Sequence, residues 1–399
     1  MTQSRPTTSN LTARPNTPFW RDERFIRILG QLIFLALVAA LLGYLANNML
    51  TNLRQQGLAL GFDFLQTTSG FDIGEHPIPY DRGSTYLRAF TVGLINTALV
   101  SSLGIVFATF LGIIFGVGQL SGNLLVRSLS RAYIEIMRNI PLLVLLIFLY
   151  SAVFIQLPRV KEALILPGPI FLSNRGVAIP WGVPTETFQT YLRLLGLGGL
   201  VAIGLGLALS WYGRRTGRAP LSIFWGGLAF CIVAVVAWIA LPVAPLSPSL
   251  PAVKGLRLAG GLQLSPEFMT LLTGLAVYTS AFIADVVRAG IQAVPRGQVE
   301  ASKSVGLTSF QILRLVIFPQ ALRVIIPPLT SQYLNLTKNS SLAVAIGYPE
   351  LFHVSGTVLN QSGRAVEVIV IVMSIYLSIS LLTSLLMNLY NRRIRFVER

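Results

Sequence analysis

The feature that most constrains this chain is a series of apolar runs near 20 residues, the length a helix needs to cross a hydrocarbon core of about 30 Å. Eight are predicted: Ile28–Leu50, Tyr86–Val117, Pro141–Leu157, Tyr191–Trp211, Leu221–Leu241, Phe268–Ile291, Phe318–Leu336 and Val366–Tyr390. No water reaches backbone groups inside lipid, so each run must satisfy its own N–H and C=O groups as a helix. The expectation is an all-α polytopic membrane protein with about eight transmembrane helices. A composition that is 53% hydrophobic and 12% charged excludes an ordinary soluble domain.

The formal net charge of +16 would fit a nucleic-acid partner if the charge formed a patch. It lies instead between apolar runs, at Arg127, Arg131 and Arg138, at Arg214, Arg215 and Arg218, and from Arg392 to Arg399. Cytoplasmic segments of membrane proteins carry such an excess. The expected partner of this charge is membrane lipid, not nucleic acid. An even span count then puts both termini in the cytoplasm, as a tail over residues 1–27 and a basic end over 392–399. The first apolar run is longer than a secretory leader's and reads as a retained span. The acidic, turn-rich segment Arg54–Ser84 falls on the opposite side.

Few residue types for chemistry are present. The single cysteine, Cys231, permits no intrachain disulfide. His76 and His353 are the two histidines, and no nucleophile, base or metal-ligand cluster accompanies them, which argues against an intramembrane enzyme. A stretch of the form GxxxxGK(S/T) is absent, so the chain has no phosphate-cradling loop of its own. Gly112 and Gly116 have the GxxxG spacing that permits close helix approach.

The most ordered polar stretch is Ala293–Pro328. Pro295 suits the start of a helix, Gly306 suits the left-handed residue after its end, and Thr308 with Gln311 has capping-box spacing. The pattern predicts helix, glycine turn, helix: an elbow between two spans. Ala301, Ser302 and Val305 give its first helix a low face that a partner groove can approach.

Here the chain resembles a known family. Glu300, Ala301, Ser302, Gly306, Val316, Phe318 and Pro319 stand at the offsets of the EAA loop of ABC importer permeases, with Ser302, Val316 and Phe318 as conservative departures. Pro295–Gln298 and Pro319–Arg323 look like the polar amino-acid branch. Further segments are similar to the family at Gly93, Asn96 and Thr97; at Tyr133, Glu135, Arg138 and Pro141–Leu143; at Ala281–Gln292, with Asp285 in place of glutamate; and at Lys338, Ser341, Gly347, Glu350 and Leu351.

The resemblance implies a type I ABC importer permease core in two parts, 86–157 and 266–391, with the EAA coupling loop at 293–319. Residues 28–85 add a first span and a periplasmic loop, and 158–265 add loops and an inserted helical hairpin, as in larger general amino-acid permeases. It implies a bacterial inner-membrane subunit that is not itself an enzyme and binds no cofactor. ATP and Mg are used by a partner ATPase, in two ATP-binding subunits. The other implied partners are a second permease, identical or related, a periplasmic amino-acid-binding protein and an amino-acid substrate. Pro295, Gly297, Glu300, Ala301, Ser302 and Gly306 become the ATPase-coupling residues. Asn96, Thr97, Asp285, Arg288 and Lys338 become the substrate-pathway candidates. Asp285 and Arg288, three apart, pair on one helix face, as a gate or as a substrate contact. Lys338 either meets a carboxylate or anchors a helix. The competing reading is a secondary amino-acid transporter driven by an ion gradient; it requires internal repeats, and none is evident.

Overall fold

The computed structural model describes residues 23–55, 61–216, 221–255 and 257–394. The expected tail up to residue 22, residues 217–218 of the basic turn and residues 395–399 lie outside these. The chain divides into two compact units, Met1–Phe64 and Leu65–Arg399. The first contributes α1 (Glu23–Gln55), an apolar helix with no buried residue along its membrane-length stretch.

The second unit is built on a seam between α2 (Tyr86–Gly118) and α7 (Pro266–Gln292). Each starts with a side-chain cap: Thr85 accepts from the Arg88 amide and Ser265 from the Phe268 amide. The GxxxG pair forms the seam. A Cβ on Gly112 would stand 2.5 Å from Cγ2 of Ile283, and one on Gly116 would stand 2.7 Å from the Ala284 carbonyl oxygen. Only glycine lets the two backbones come this close.

After α2, Asn123 caps α3 (Leu124–Asn139), an amphipathic helix that buries Ser130 and Ile134. Pro141 then stops the chain from continuing straight. It sits in an extended conformation at the start of α4 (Leu142–Phe148), which runs on as a π-type stretch, Leu149–Phe154. The two helical pieces meet at 101°. The expected third span is therefore a short apolar helix hinged to an amphipathic one, and not a straight crossing.

The inserted hairpin is α5 (Phe188–Thr216) and α6 (Ser222–Ala240), joined at its near end by Tyr191 against Trp238 with rings 5.5 Å apart. Past α7 come the elbow helices α8 (Arg296–Ser304) and α9 (Ser309–Ile312), then α10 (Phe318–Asn339), α11 (Leu351–Ser362) and α12 (Ala365–Ile394). Gly290 of α7 faces Ile325 of α10. Leu146, Leu271, Leu275 and Leu336 are fully buried where α2, α4, α7 and α10 converge.

Among the described residues, six helices are long and apolar enough to cross a membrane, and the bent pair brings the number to seven. The remaining expected span, α6, is apolar but shorter, at 19 residues.

One region differs from its sequence reading. The segments on either side of the hairpin, expected as loops, form short strands that pair within each segment and with each other. β1 (Leu164–Leu166), β2 (Ile170–Ser173), β3 (Gly176–Ile179) and β8 (Leu262–Leu264) form an antiparallel sheet in that order. β4 (Trp181–Pro184) pairs with β5 (Leu246–Ser249), and β6 (Ala252–Lys254) with β7 (Arg257–Ala259). Two of these pairings, Val177 with Leu264 and Trp181 with Ser249, clamp the base of the insert across the hairpin. β8 leads directly into Ser265, so the sheets lie at the start of α7, and the elbow lies at its end about 40 Å away along a 27-residue helix.

Candidate functional site

The elbow begins where α7 ends at Gln292. Val294 is buried and anchors the turn, and Pro295 occupies the N-cap of α8. At the far end, the Leu307 amide donates to the Ser302 carbonyl at 3.2 Å and the Gly306 amide to the Lys303 carbonyl at 2.9 Å. This pair of bonds is a Schellman closure, and Gly306 takes the left-handed conformation it requires, with φ of +81°. Thr308 and Gln311 complete the capping box of α9. A π-type stretch, Leu313–Ile317, joins α9 to α10. Every turn of the elbow is thus closed by its own backbone or caps, which makes it a rigid projection.

Of the six expected coupling residues, Pro295, Gly297, Glu300, Ala301 and Gly306 are exposed. Ser302 is buried and its hydroxyl donates to the Gln298 carbonyl at 2.6 Å. Val305 is 75% exposed and Phe310 68% exposed, giving the elbow two apolar side chains in open solvent. Phe310 escaped the sequence reading because a four-residue helix has no periodicity to show which face is free.

Behind the elbow, α3 meets α7. Arg138 forms an ion pair with Asp285, and Arg288 approaches the same carboxylate at 3.9 Å. The Arg138 guanidinium also lies 5.6 Å from the centre of the Phe282 ring. Asp285 is seven residues, or about 10 Å, from the end of α7. One turn earlier on α3, the Tyr133 hydroxyl bonds Oγ of Ser280 at 2.7 Å and donates to the Val277 carbonyl at 3.0 Å. The two family-like segments around Arg138 and Asp285 are therefore brought together.

Asn96 and Thr97 are placed elsewhere. Both are buried in the packing of α2. The Asn96 amide donates to the carbonyls of Glu75 and Pro349, each at 2.9 Å. The Thr97 hydroxyl donates to the Gly93 carbonyl and accepts from the Leu351 amide, each at 3.0 Å. Glu350, fully buried between them, caps α11 through the Phe352 and His353 amides and accepts from the Tyr376 hydroxyl at 2.9 Å. Burial pushes its carboxyl up to about 6, against the pull of those three donors. These residues staple α2, α11 and α12 at the sheet end.

A strap over residues 67–85 closes the same end, with the Ser69 amide donating to the Ser84 carbonyl at 2.8 Å. Between strap, α7 and α11 is a recess of about 430 Å³ whose lining includes Asp72, Glu75, Glu267 and His353. Burial, reinforced by the Glu267 carboxylate, pushes Glu75 up to about 7, against a lowering bond from the Ser265 amide.

Between α7 and α10 lies a polar recess of about 300 Å³ lined by Tyr278, Thr279, Phe282, Gln332, Asn335 and Asn339. Lys338, exposed on α10, adjoins it in sequence. No group of three or more metal-ligating side chains occurs among the described residues.

Residues 108–396 match the family model described as binding-protein-dependent transport system inner membrane component. The chain is 48% identical over 379 residues to the putative amino-acid ABC transporter permease protein YhdX of Escherichia coli K12, covering 93% of this chain and 94% of that one. It is 41% identical to the general L-amino acid transport system permease protein AapQ of Rhizobium johnstonii, covering 95% and 94%. It is 39% identical to the glutamate/glutamine/aspartate/asparagine transport system permease protein BztB of Rhodobacter capsulatus, covering 95% and 96%. With a matched family model over most of its length and relatives of nearly equal extent, the chain belongs to the family of binding-protein-dependent transport system inner membrane components, as a multi-pass permease subunit with an inserted helical hairpin.

Proposed function

We propose that this chain is the membrane-spanning subunit of an ATP-driven importer that carries L-amino acids across a bacterial inner membrane. The observation that carries the reading is the elbow: a capped helix pair closed at Gly306 that holds Glu300, Ala301, Val305 and Phe310 outward. A connecting loop has no need of such order, whereas a docking element does. The relatives' names supply the amino-acid substrate class.

In this reading the elbow and both termini are cytoplasmic, and the strap and sheets are periplasmic. Two copies of a separate ATPase seat on the elbows of this chain and of a second permease, identical or related. ATP and Mg act in those ATPases. A periplasmic binding protein delivers substrate to the sheet end. The core of 86–157 and 266–391 moves as the elbow moves, through α7 on one side and α10 on the other, and 158–265 lies at its periphery.

The path for the amino acid follows the α7–α10 recess, where amide and hydroxyl groups replace water around a zwitterion that would otherwise be desolvated. Asp285, Arg288 and Lys338 flank that path. Asn96 and Thr97 act from behind it, by holding the 347–351 segment in place.

Purification in mild detergent tests the reading. An ATP-binding subunit should accompany the chain in two copies, together with a second permease chain. A chain that purifies alone under conditions that preserve its fold would contradict it.

A further inference from the structure

The turn Val160–Glu162 lies against the β2–β3 hairpin, with the Asn174 amide donating to the Pro158 carbonyl at 2.9 Å and the Glu162 amide donating to the Arg159 carbonyl at 2.8 Å. The buried Val160 pins the turn. A cavity of about 380 Å³ opens there, lined by Arg159, Lys161, Arg175, Asn174 and Glu162. Three cations face one carboxylate, and none of the three is in an ion pair among the described residues. Cations gathered around a cavity and left unneutralised call for an anion.

The surroundings say which kind. Arg159 follows the last residue of the apolar π-type stretch, Phe154, by five positions, so the cavity stands at the end of a lipid-facing segment. Leu143, Val144, Ile147 and Phe148 of α4, which leads into that stretch, and Val153 within it are exposed. Next to the cavity, β1 is the edge strand of the sheet, and Leu164, Ile165 and Leu166 are 51%, 66% and 46% exposed. Successive strand residues point to opposite faces, so this edge is apolar on both. An edge in water is normally guarded by charge or proline. An apolar edge beside a cationic cavity, at a helix end, has the character of a membrane interface: alkyl groups toward acyl chains and cations toward phosphates.

We propose that Arg159, Lys161 and Arg175 form a site for the phosphate of an anionic phospholipid, with β1 inserted at the acyl boundary beside it. The site would fix the base of the inserted hairpin to the bilayer, since β2 and β3 link directly to the clamp that β3 makes with β8. Asn174, at the same hairpin turn, can donate to a phosphate oxygen.

The test uses the full-length chain with its partner subunits, in nanodiscs of phosphatidylglycerol, of phosphatidylcholine or of mixtures. Retained lipid is read by native mass spectrometry after detergent transfer, for the parent and for the variant Arg159→Gln/Lys161→Gln/Arg175→Gln. Removing one cation near an anionic surface costs about fivefold in affinity, so the triple variant should retain at least roughly tenfold less phosphatidylglycerol. Phosphatidylcholine, whose choline offsets the charge of its phosphate, should be retained more weakly by the parent and lose less in the triple variant, and Ile165→Asn should weaken retention of both lipids. Far-ultraviolet circular dichroism and the unfolding midpoint identify any variant that has lost its fold, and Arg175→Gln alone, at an exposed turn, is the milder second variant. Equal retention of the two lipids by the parent would overturn the proposal. So would displacement of the lipid by millimolar inorganic phosphate. A triple variant that keeps its lipid but loses stimulation by the binding protein would also overturn it, and would assign the cations to protein docking instead.

Discussion

Arg138 at the end of α3 and Asp285 inside α7, 147 residues apart in the chain, form an ion pair at the elbow side of the Pro141 bend. Arg288 shares the same carboxylate. Asp285→Asn removes the negative charge that both arginines share, whereas Arg138→Gln leaves the Asp285–Arg288 contact. With side chains 48% and 26% exposed, the Arg138–Asp285 pair is worth about 1 kcal/mol. Asp285→Asn should therefore lower the unfolding midpoint more than Arg138→Gln, and the double variant should cost little more than Asp285→Asn alone. Simple additivity in unfolding measurements would show that the two residues act independently.

Asn96 separates structural support from substrate contact. Its amide holds two part-buried carbonyls, of Glu75 and Pro349. Asn96→Ala leaves both unmet and should cost about 1–3 kcal/mol in stability. Thermal unfolding in detergent should register that loss. A variant with parental stability and a raised KM for uptake would instead make Asn96 a substrate ligand.

Glu75 gives the fold a pH dependence of defined sign. Its carboxyl is raised from 4.5 to about 7, chiefly by burial and then by Glu267. The folded state holds this proton more tightly than the unfolded chain, so the stabilising contribution is full below about 4.5 and is lost as pH rises through about 7. The unfolding midpoint should fall between about pH 5 and about pH 8, and Glu75→Gln should flatten that slope. An unchanged slope in Glu75→Gln would assign the pH dependence to another group.

Two glycines should respond in opposite ways. A side chain at Gly116 meets the Ala284 carbonyl at 2.7 Å, so Gly116→Leu must force α2 from α7, at about 1–3 kcal/mol or more. A Cβ at Gly297 meets nothing within 4 Å, and the position is helical, so Gly297→Ala should be neutral or stabilise by about 0.5–1 kcal/mol. Unfolding midpoints of the two variants check both.

What the sequence discloses here follows the range of the interactions. The Gly306 closure, the Thr308 capping box and the Gly112–Gly116 spacing are each set by residues within a few positions, and all three appear as read. The strands do not, because they are three or four residues long and two of their pairings, β3 with β8 and β4 with β5, span the whole hairpin, as Val177 does with Leu264. Asn96 and Thr97 resembled family positions, but each also bonds a group some 250 residues away, and only the fold brings Pro349 and Leu351 to them. Ser302 sits in the right motif and on the inner face of its helix, a distinction that a nine-residue helix with one buried position does not write into its pattern.

The role proposed for the elbow is to transmit ATP-driven motion from a separate ATPase. It is tested most directly by amino-acid uptake into proteoliposomes containing this chain, its permease and ATPase partners and the loaded binding protein. The parent should transport only with ATP. Gly306→Val places a β-branched residue at φ of +81°, and Glu300→Lys reverses charge on an exposed turn of α8. Both variants should insert normally and lose ATP-dependent uptake together with ATPase retention. Uptake by this chain without any ATPase, abolished by collapsing an ion gradient and indifferent to both substitutions, would contradict the account.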